Sequence, residues 1–247
     1  MTTKTSKPVE ILFEDQHYLI ANKPAGLFVH PSPMDPKVTD TLITRLGKGL
    51  RAVNRLDRPT TGPVVLAKSA EAARDMQAIW HLPSTEKVYD CFARGWMMDK
   101  LCLDYPLKYA RDDAEFDRLN SPVQAAQTSF VPLAHISLPI SVGQFPEARY
   151  SRIECRLHTG RKHQIRRHLK HLLHPIVGDT RYGEGRHNRL FRDNFHWQDL
   201  ALRCKRLTFE HPYSQERVDI VVDLPDNWAY LLRQWQALGA KVMPVWP

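Results

Sequence analysis

Asp57 is a lone carboxylate between two arginines, in the run Val53-Asn54-Arg55-Leu56-Asp57-Arg58-Pro59-Thr60-Thr61-Gly62, where proline and glycine punctuate a turn. A merely structural aspartate gains little from that setting. An acid that must stay ionised beside a substrate gains a great deal, because burial favours its neutral form and a neighbouring guanidinium opposes that. Far downstream lies the densest basic stretch of the chain, Leu157-His158-Thr159-Gly160-Arg161-Lys162-His163-Gln164-Ile165-Arg166-Arg167-His168. It can supply both an arginine partner for the acid and a grip on phosphates. Together the two stretches point to nucleophilic or acid–base chemistry on a polyanion such as RNA.

The location of the charge supports this. The chain of 247 residues carries a net charge of +8, and the segment Ser151–Arg206 holds 14 of the 35 Lys and Arg but only 5 of the 27 Asp and Glu, so the remainder is near neutral. Seven of the twelve histidines also fall there. A solvated helix face carries mixed signs, whereas one-signed clustering marks a polyanion-binding surface. With 43% hydrophobic residues the chain can build a sizeable core. The first ten residues lack the apolar region of a signal peptide, and no apolar run is long enough to span a bilayer. Cys91, Cys102, Cys155 and Cys204 are far apart and make no C-x-x-C pair, which reads as reduced thiols in a cytoplasmic protein.

The elements that must position these residues are short. Val9–Ile20 reads as two strands around the turn Glu14-Asp15-Gln16, followed by a loop at Asn22-Lys23-Pro24-Ala25-Gly26. Thr39 is placed to cap a helix through Arg45, and Ser69 to cap one running to about Trp80. Pro63–Ala67, Val88–Ala93, Gln127–Leu133 and Arg152–Leu157 read as strands. Thr159-Gly160 opens a helix with Ile165, Leu169 and Leu172 on one face, leaving Arg166 and Lys170 off that face and able to enter a cleft. Asp226 is placed to cap a helix carrying Trp228, Leu231, Leu232, Trp235 and Leu238, and Pro106–Tyr150 is where long loops are expected.

Two stretches resemble the RluA-type pseudouridine synthases: Arg55-Leu56-Asp57-x-x-Thr60-Thr61-Gly62, and Thr159-Gly160-Arg161-Lys162-His163-Gln164-Ile165-Arg166 followed by Pro175-Ile176-Val177-Gly178-Asp179-x-x-Tyr182-Gly183. The resemblance runs from about Ile11 to about Pro225, and the wording around Arg58-Pro59 and Arg166–His171 is most like the tRNA-modifying branch. It departs at Asn54, Thr61 and Arg203, where the family usually has His, Ser and His. None of these removes the acid or its arginine.

The resemblance implies an α+β fold with a largely antiparallel mixed central sheet, flanking helices and a central cleft. It implies one catalytic domain over 1–247, with no N-terminal RNA-binding domain of the S4 type, and a monomer. The reaction breaks the bond between uracil and ribose, turns the base and rejoins it through carbon, so no cofactor, nucleotide or metal is required. Asp57 would be nucleophile or base, Arg166 its partner and Tyr89 the residue facing the detached uracil. Lys23 would pack beneath the site, and Arg55, a strand neighbour, should point away from Asp57. Arg161, Lys162, Arg167 and Lys170 are candidates for RNA phosphates, and Arg58 for a backbone oxygen or the gap left by a flipped base. The branch implies uridine 65 in the T-stem of tRNA as target; ribosomal RNA is the alternative within the family.

Two readings from other classes stand beside this one. His163, His168, His171 and His174 could be metal ligands, although only some have helical spacing and no carboxylate lies among them. The basic segment alone would also serve a non-catalytic RNA-binding module, but such a module has no use for Asp57.

Overall fold

The computed structural model describes residues 8–31, 38–109 and 121–245. In chain order the elements are β1 (Glu10–Glu14), β2 (Tyr18–Lys23), α1 (Leu42–Leu46), β3 (Arg51–Ala52), β4 (Gly62–Ala67), α2 (Ala70–Ile79), β5 (Glu86–Arg94), β6 (Leu101–Asp104), β7 (Leu107–Lys108), β8 (Val123–Gln124), β9 (Gln127–Leu138), β10 (Ala148–Leu157), α3 (Gln164–His171), α4 (Gly185–Phe195), β11 (Leu202–Glu210), β12 (Arg217–Val221), α5 (Asp226–Ala237) and β13 (Lys241–Pro244).

The fold is α+β, and its sheet is in two main parts. One runs β1-β2-β4-β3; the other runs β12-β11-β5-β10-β9-β13, with β6 also on β9; the short β7–β8 ladder stands apart. Among the described residues every ladder is antiparallel. The parts meet where Thr61 bridges Arg203 in parallel and Cys204 N donates to Thr61 O at 2.8 Å. Gly62 permits that approach: its φ is 129°, and a Cβ there would collide with the Cys204 backbone. Leu19, Val64 and Leu66 of the first part share one core with Tyr89, Ile153 and Leu202 of the second. On the opposite face of β5, Phe92 stacks on Trp228 and meets Trp235 edge-on, so α5 covers that side. Such fully buried side chains stabilise by about 1.5–3 kcal/mol each.

Several boundaries differ from those read in the sequence. The first short helix is capped by Thr41, which forms a reciprocal box with Thr44, and not by Thr39. Lys23 ends a strand instead of lying in a loop. Asp226 is the first residue of α5, preceded by Pro225 at the cap, where proline's fixed φ suits the entry. Within the stretch expected to hold long loops, the strand read at Gln127–Leu133 is longer than expected: β9 has twelve residues and passes Pro132 at a register shift opposite Arg152/Ile153. Proline is tolerated in a strand where the ladder is already interrupted. Residues 110–120 of that stretch lie outside the described residues.

Candidate active site

The turn bearing Asp57 is pinned on both sides. Where the chain leaves β3, the Asn54 side chain takes over the pairing with β4: Oδ1 accepts from Val65 N at 2.8 Å and Nδ2 donates to Pro63 O at 3.4 Å. Leu56 is buried in the core, and Asp57 O accepts from Thr60 N at 3.0 Å, closing the turn. On the next residue, Arg58 O accepts from Gly26 N at 2.9 Å and from Lys23 Nζ at 3.0 Å. Lys23 is fully buried and also donates to Pro24 O and Leu27 O, both at 2.9 Å. Burial pulls its pKa down to about 7, with Asp57 opposing. Three carbonyls nevertheless call for three N–H donors, which only the ammonium form supplies. Lys23 thus ties the Pro24–Leu27 loop to the backbone of the Asp57 turn.

Arg166 sits in the first turn of α3 with 6% of its side chain exposed. Its three donor positions are shared between two acids: Nη1 donates to Asp57 Oδ2 at 2.9 Å, while Nε and Nη2 grip Asp179 Oδ2 and Oδ1 at 2.8 and 2.9 Å. Burial weighs against its charge, but Asp179 and then Asp57 outweigh it and hold the pKa above the ordinary arginine value. Asp179, fully buried, also accepts from the Arg181 and Tyr182 amides at 2.9 Å. Burial alone would raise its carboxyl; Arg166 and these amides hold it below the usual range. Asp57 keeps 19% of its side chain exposed, so one acid of the pair is sealed and the other faces solvent.

α3 begins at Gln164, later than the expected opening at Thr159-Gly160. Gln164 itself holds the preceding turn, accepting from Thr159 Oγ1 at 2.8 Å and Arg161 N at 2.9 Å while donating to Gln127 O and Thr128 Oγ1. That turn swings His163 into the site, with Nε2 3.8 Å from Asp57 Oδ1 and Nδ1 3.1 Å from Tyr182 Oη. Tyr89 lies on β5 between Cys155 and Cys204 as cross-strand neighbours. Burial, then Cys204 and the charge of Asp57, push its phenol well above its ordinary pKa.

The other expected residues divide. Lys170 is exposed and does not enter the cleft beside Arg166, because one further helical turn carries it to the surface. Arg161 Nε donates to Ala125 O at 3.0 Å and Arg167 Nη2 to Lys108 O at 2.9 Å, so both also hold the β7–β8 segment against α3. Lys162 Nζ is buried, not projected to solvent, and feels Asp57 among its neighbours. Arg58 lies 5.0 Å over Phe28 and donates from Nε to Gly26 O at 3.0 Å. Arg55 is exposed on irregular backbone, not on a strand. Arg203 donates from Nη1 to Val222 O and Asp223 O at 3.1 and 2.9 Å, and faces Asp90, which Arg152 also neutralises. Thr61 docks through its backbone, so its exchange for Ser leaves that contact intact.

In the sequence Asp179 and Tyr182 belong to the motif that carries the resemblance but signal no role of their own, and His163 is a candidate metal ligand; the structure brings all three to Arg166 or Asp57. Among the described residues no group of three or more His, Cys, Asp or Glu is placed to hold a metal. His168 bridges Thr128 and Tyr105 O, His171 stacks on Tyr105, and His174 contacts Arg94 O. A cavity of about 640 Å³ lined by Phe13, Asp15, His17, His211 and Tyr213 contains none of the Asp57 cluster. It lies by Tyr18, the end of β2 opposite Lys23, about 17 Å away along the strand.

Residues 17–171 match the family model described as RNA pseudouridylate synthase. The tRNA pseudouridine synthase C of Vibrio cholerae serotype O1 is 42% identical over 236 residues, covering 92% of this chain and 97% of that protein. The protein of the same name from Salmonella typhimurium is 37% identical over 238 residues, covering 93% and 92%. The solved structure of Human RNA Pseudouridylate Synthase Domain Containing 1 covers 99% of this chain and 100% of its own, with a TM-score of 0.67 and 22% identity, a likeness of fold. A buried guanidinium shared between two carboxylates thus sits inside a chain that, by family model and by relatives across nearly its whole length, belongs to the RluA-type family of RNA pseudouridylate synthases.

Proposed function

We propose that this chain isomerises uridine to pseudouridine in tRNA, at uridine 65 of the T-stem, with Asp57 as the reacting carboxylate. The relatives' names support tRNA as the substrate. The observation that carries the chemical part is the pairing of a solvent-facing acid with a buried arginine that is itself locked to a second acid. In the reaction the base leaves the ribose carbon through nitrogen and returns to it through C5; the C5 proton is lost and the nitrogen ends protonated. Atoms and electrons balance within the nucleoside and solvent. Asp57 either attacks the ribose carbon or removes the ribose proton that starts an elimination; both use a free carboxylate oxygen, and Arg166 Nη1 holds Oδ2 while Oδ1 is left to react.

Tyr89 serves as a platform for the detached uracil. Its raised pKa makes a phenolate costly, which favours stacking over proton removal. The uridine must leave a paired stem at a cost of a few kcal/mol, and the cations of Arg58, Arg161, Arg167 and Lys170 offset this by holding phosphates. Lys162 and Arg55 contribute positive potential at the cleft. The shared core supports a single catalytic unit; a monomer is the state proposed for it. The free thiols of Cys91, Cys102, Cys155 and Cys204 agree with the reducing cytoplasm.

The test is pseudouridine formation in purified tRNA by wild type and Asp57→Asn. The wild type turns over and the variant does not; a variant of comparable rate removes Asp57 from the chemistry, and an inactive wild type leaves only RNA binding. Mapping pseudouridines in RNA from cells with and without the protein identifies the target. Loss of a site in ribosomal RNA with tRNA unchanged would overturn the tRNA assignment.

A further inference from the structure

His163 stands beside the reacting carboxylate in a backbone conformation that residues with a Cβ seldom adopt, φ 54° and ψ 29°. It occupies the N-cap of α3, yet its side chain makes no capping hydrogen bond. The imidazole is directed across the site, between Tyr182 Oη at 3.1 Å from Nδ1 and Asp57 Oδ1 at 3.8 Å from Nε2. Tyr182 is held in turn: its amide donates to Asp179 Oδ1, its ring lies beneath the Arg166 and Arg181 guanidinium groups at 5.2 and 5.6 Å, and it meets the His163 ring edge-on.

These contacts select one tautomer. If Nδ1 carried the proton, a lone pair on Nε2 would face the negatively charged carboxylate. If Tyr182 donates its hydroxyl proton to Nδ1, Nε2–H faces Asp57 Oδ1 instead, the oxygen that Arg166 does not hold. The charged groups facing the ring are Asp57, Arg166, Lys162 and Arg181; burial and the three cations outweigh Asp57 and bring the imidazole pKa down to about 4, so the ring is neutral near pH 7.

We propose that His163 is a positioning residue for Asp57: with Tyr182 fixing its tautomer, Nε2–H engages Oδ1 when the flipped nucleoside closes the site, so that each carboxylate oxygen is held by one donor. At 3.8 Å the contact is longer than a hydrogen bond. Bonds of this kind tighten in the substrate complex. Each oxygen retains a further lone pair for the nucleoside. The inference rests on the reading of Asp57 as the reacting group.

The test compares single-turnover pseudouridine formation, RNA affinity and thermal melting for the full chain. His163→Asn suits the left-handed backbone and still accepts from Tyr182, but it is too short to reach Asp57; His163→Gln can place an amide N–H near the Nε2 position. The expected result is a rate lower by about 10- to 100-fold for His163→Asn with affinity within about threefold, from loss of one hydrogen bond to a charged group. His163→Gln recovers most of the rate. Tyr182→Phe loses about 3- to 10-fold, and the double variant His163→Asn/Tyr182→Phe is no slower than His163→Asn alone, because Tyr182 acts through His163. Wild-type rate in His163→Asn, no recovery in His163→Gln, or losses that multiply in the double variant overturn the proposal. Asp57→Asn in the same assay separates the two levels: if it is inactive while His163→Asn is fully active, only the His163 role falls.

Discussion

Replacing Arg166 by lysine and by methionine separates the two jobs of its guanidinium. Lysine keeps the charge but concentrates it on one nitrogen, which cannot occupy both the fork facing Asp179 and the position facing Asp57. The ammonium should settle on Asp179, because that acid is fully buried and loses more if left unpaired, whereas Asp57 is 19% exposed and has water to turn to. Arg166→Lys therefore forfeits a charge-assisted bond to Asp57, worth about 1.5–3 kcal/mol. At 1.36 kcal/mol per tenfold, the rate should fall by about 10- to 150-fold with little change in melting. Arg166→Met strands the Asp179 carboxylate with only its two amide donors. That should cost about 3–5 kcal/mol out of a typical 5–15 kcal/mol of folding stability. Single-turnover pseudouridine formation and denaturant melts read the two effects, with RNA binding changed less than the rate in both variants. A wild-type rate in Arg166→Lys, or undiminished stability in Arg166→Met, would refute this division of roles.

Gly62→Ala should destabilise by roughly 1–3 kcal/mol and slow the reaction, since its φ of 129° and the Cys204 backbone both oppose a side chain; unchanged melting would mean the seam relaxes freely. Asp179 titrates below its ordinary value of 3.8 in the folded chain, so its stabilising contribution is complete above that value and is lost as pH falls through the lower folded value. Between about pH 5 and pH 2 the wild type should therefore lose stability more steeply than Asp179→Asn, which denaturant melts across that range will show. RNA binding should weaken steeply with salt, and Lys170→Gln should reduce the slope of log K against log salt by about 0.7–0.9 while leaving the rate at saturating RNA unchanged; an unaltered slope would remove exposed Lys170 from the interface.

Alternation and caps made β4, α2, β5 and β10 legible, because each buries an apolar face or starts at a serine whose oxygen meets the helix, as Ser69 does with Ala72 N at 3.0 Å. The strand legible at Gln127–Leu133 runs on to Leu138, and only the partner strand reveals the register shift that accommodates Pro132. The turn before α3 misled for a similar reason. Thr159 is a good cap by type, but its hydroxyl donates to Gln164 Oε1 at 2.8 Å and accepts from Gln127 N at 2.9 Å, partners that local sequence does not reveal. Asp57 and Arg166 stood out as an acid and a base in suggestive company. Asp179 did not, since nothing local tells a carboxylate in a loop that a guanidinium thirteen positions earlier will turn toward it.

The turn between Asn54 and Gly62 is tied to one half of the sheet through Val65 and to the other through Cys204, with Lys23 beneath it. Asp57 therefore rides on the joint itself, and its aim registers the alignment of both halves. Warming that loosens this joint should extinguish turnover at temperatures where most of the polypeptide is still ordered, making catalytic output a finer gauge of intactness than bulk melting.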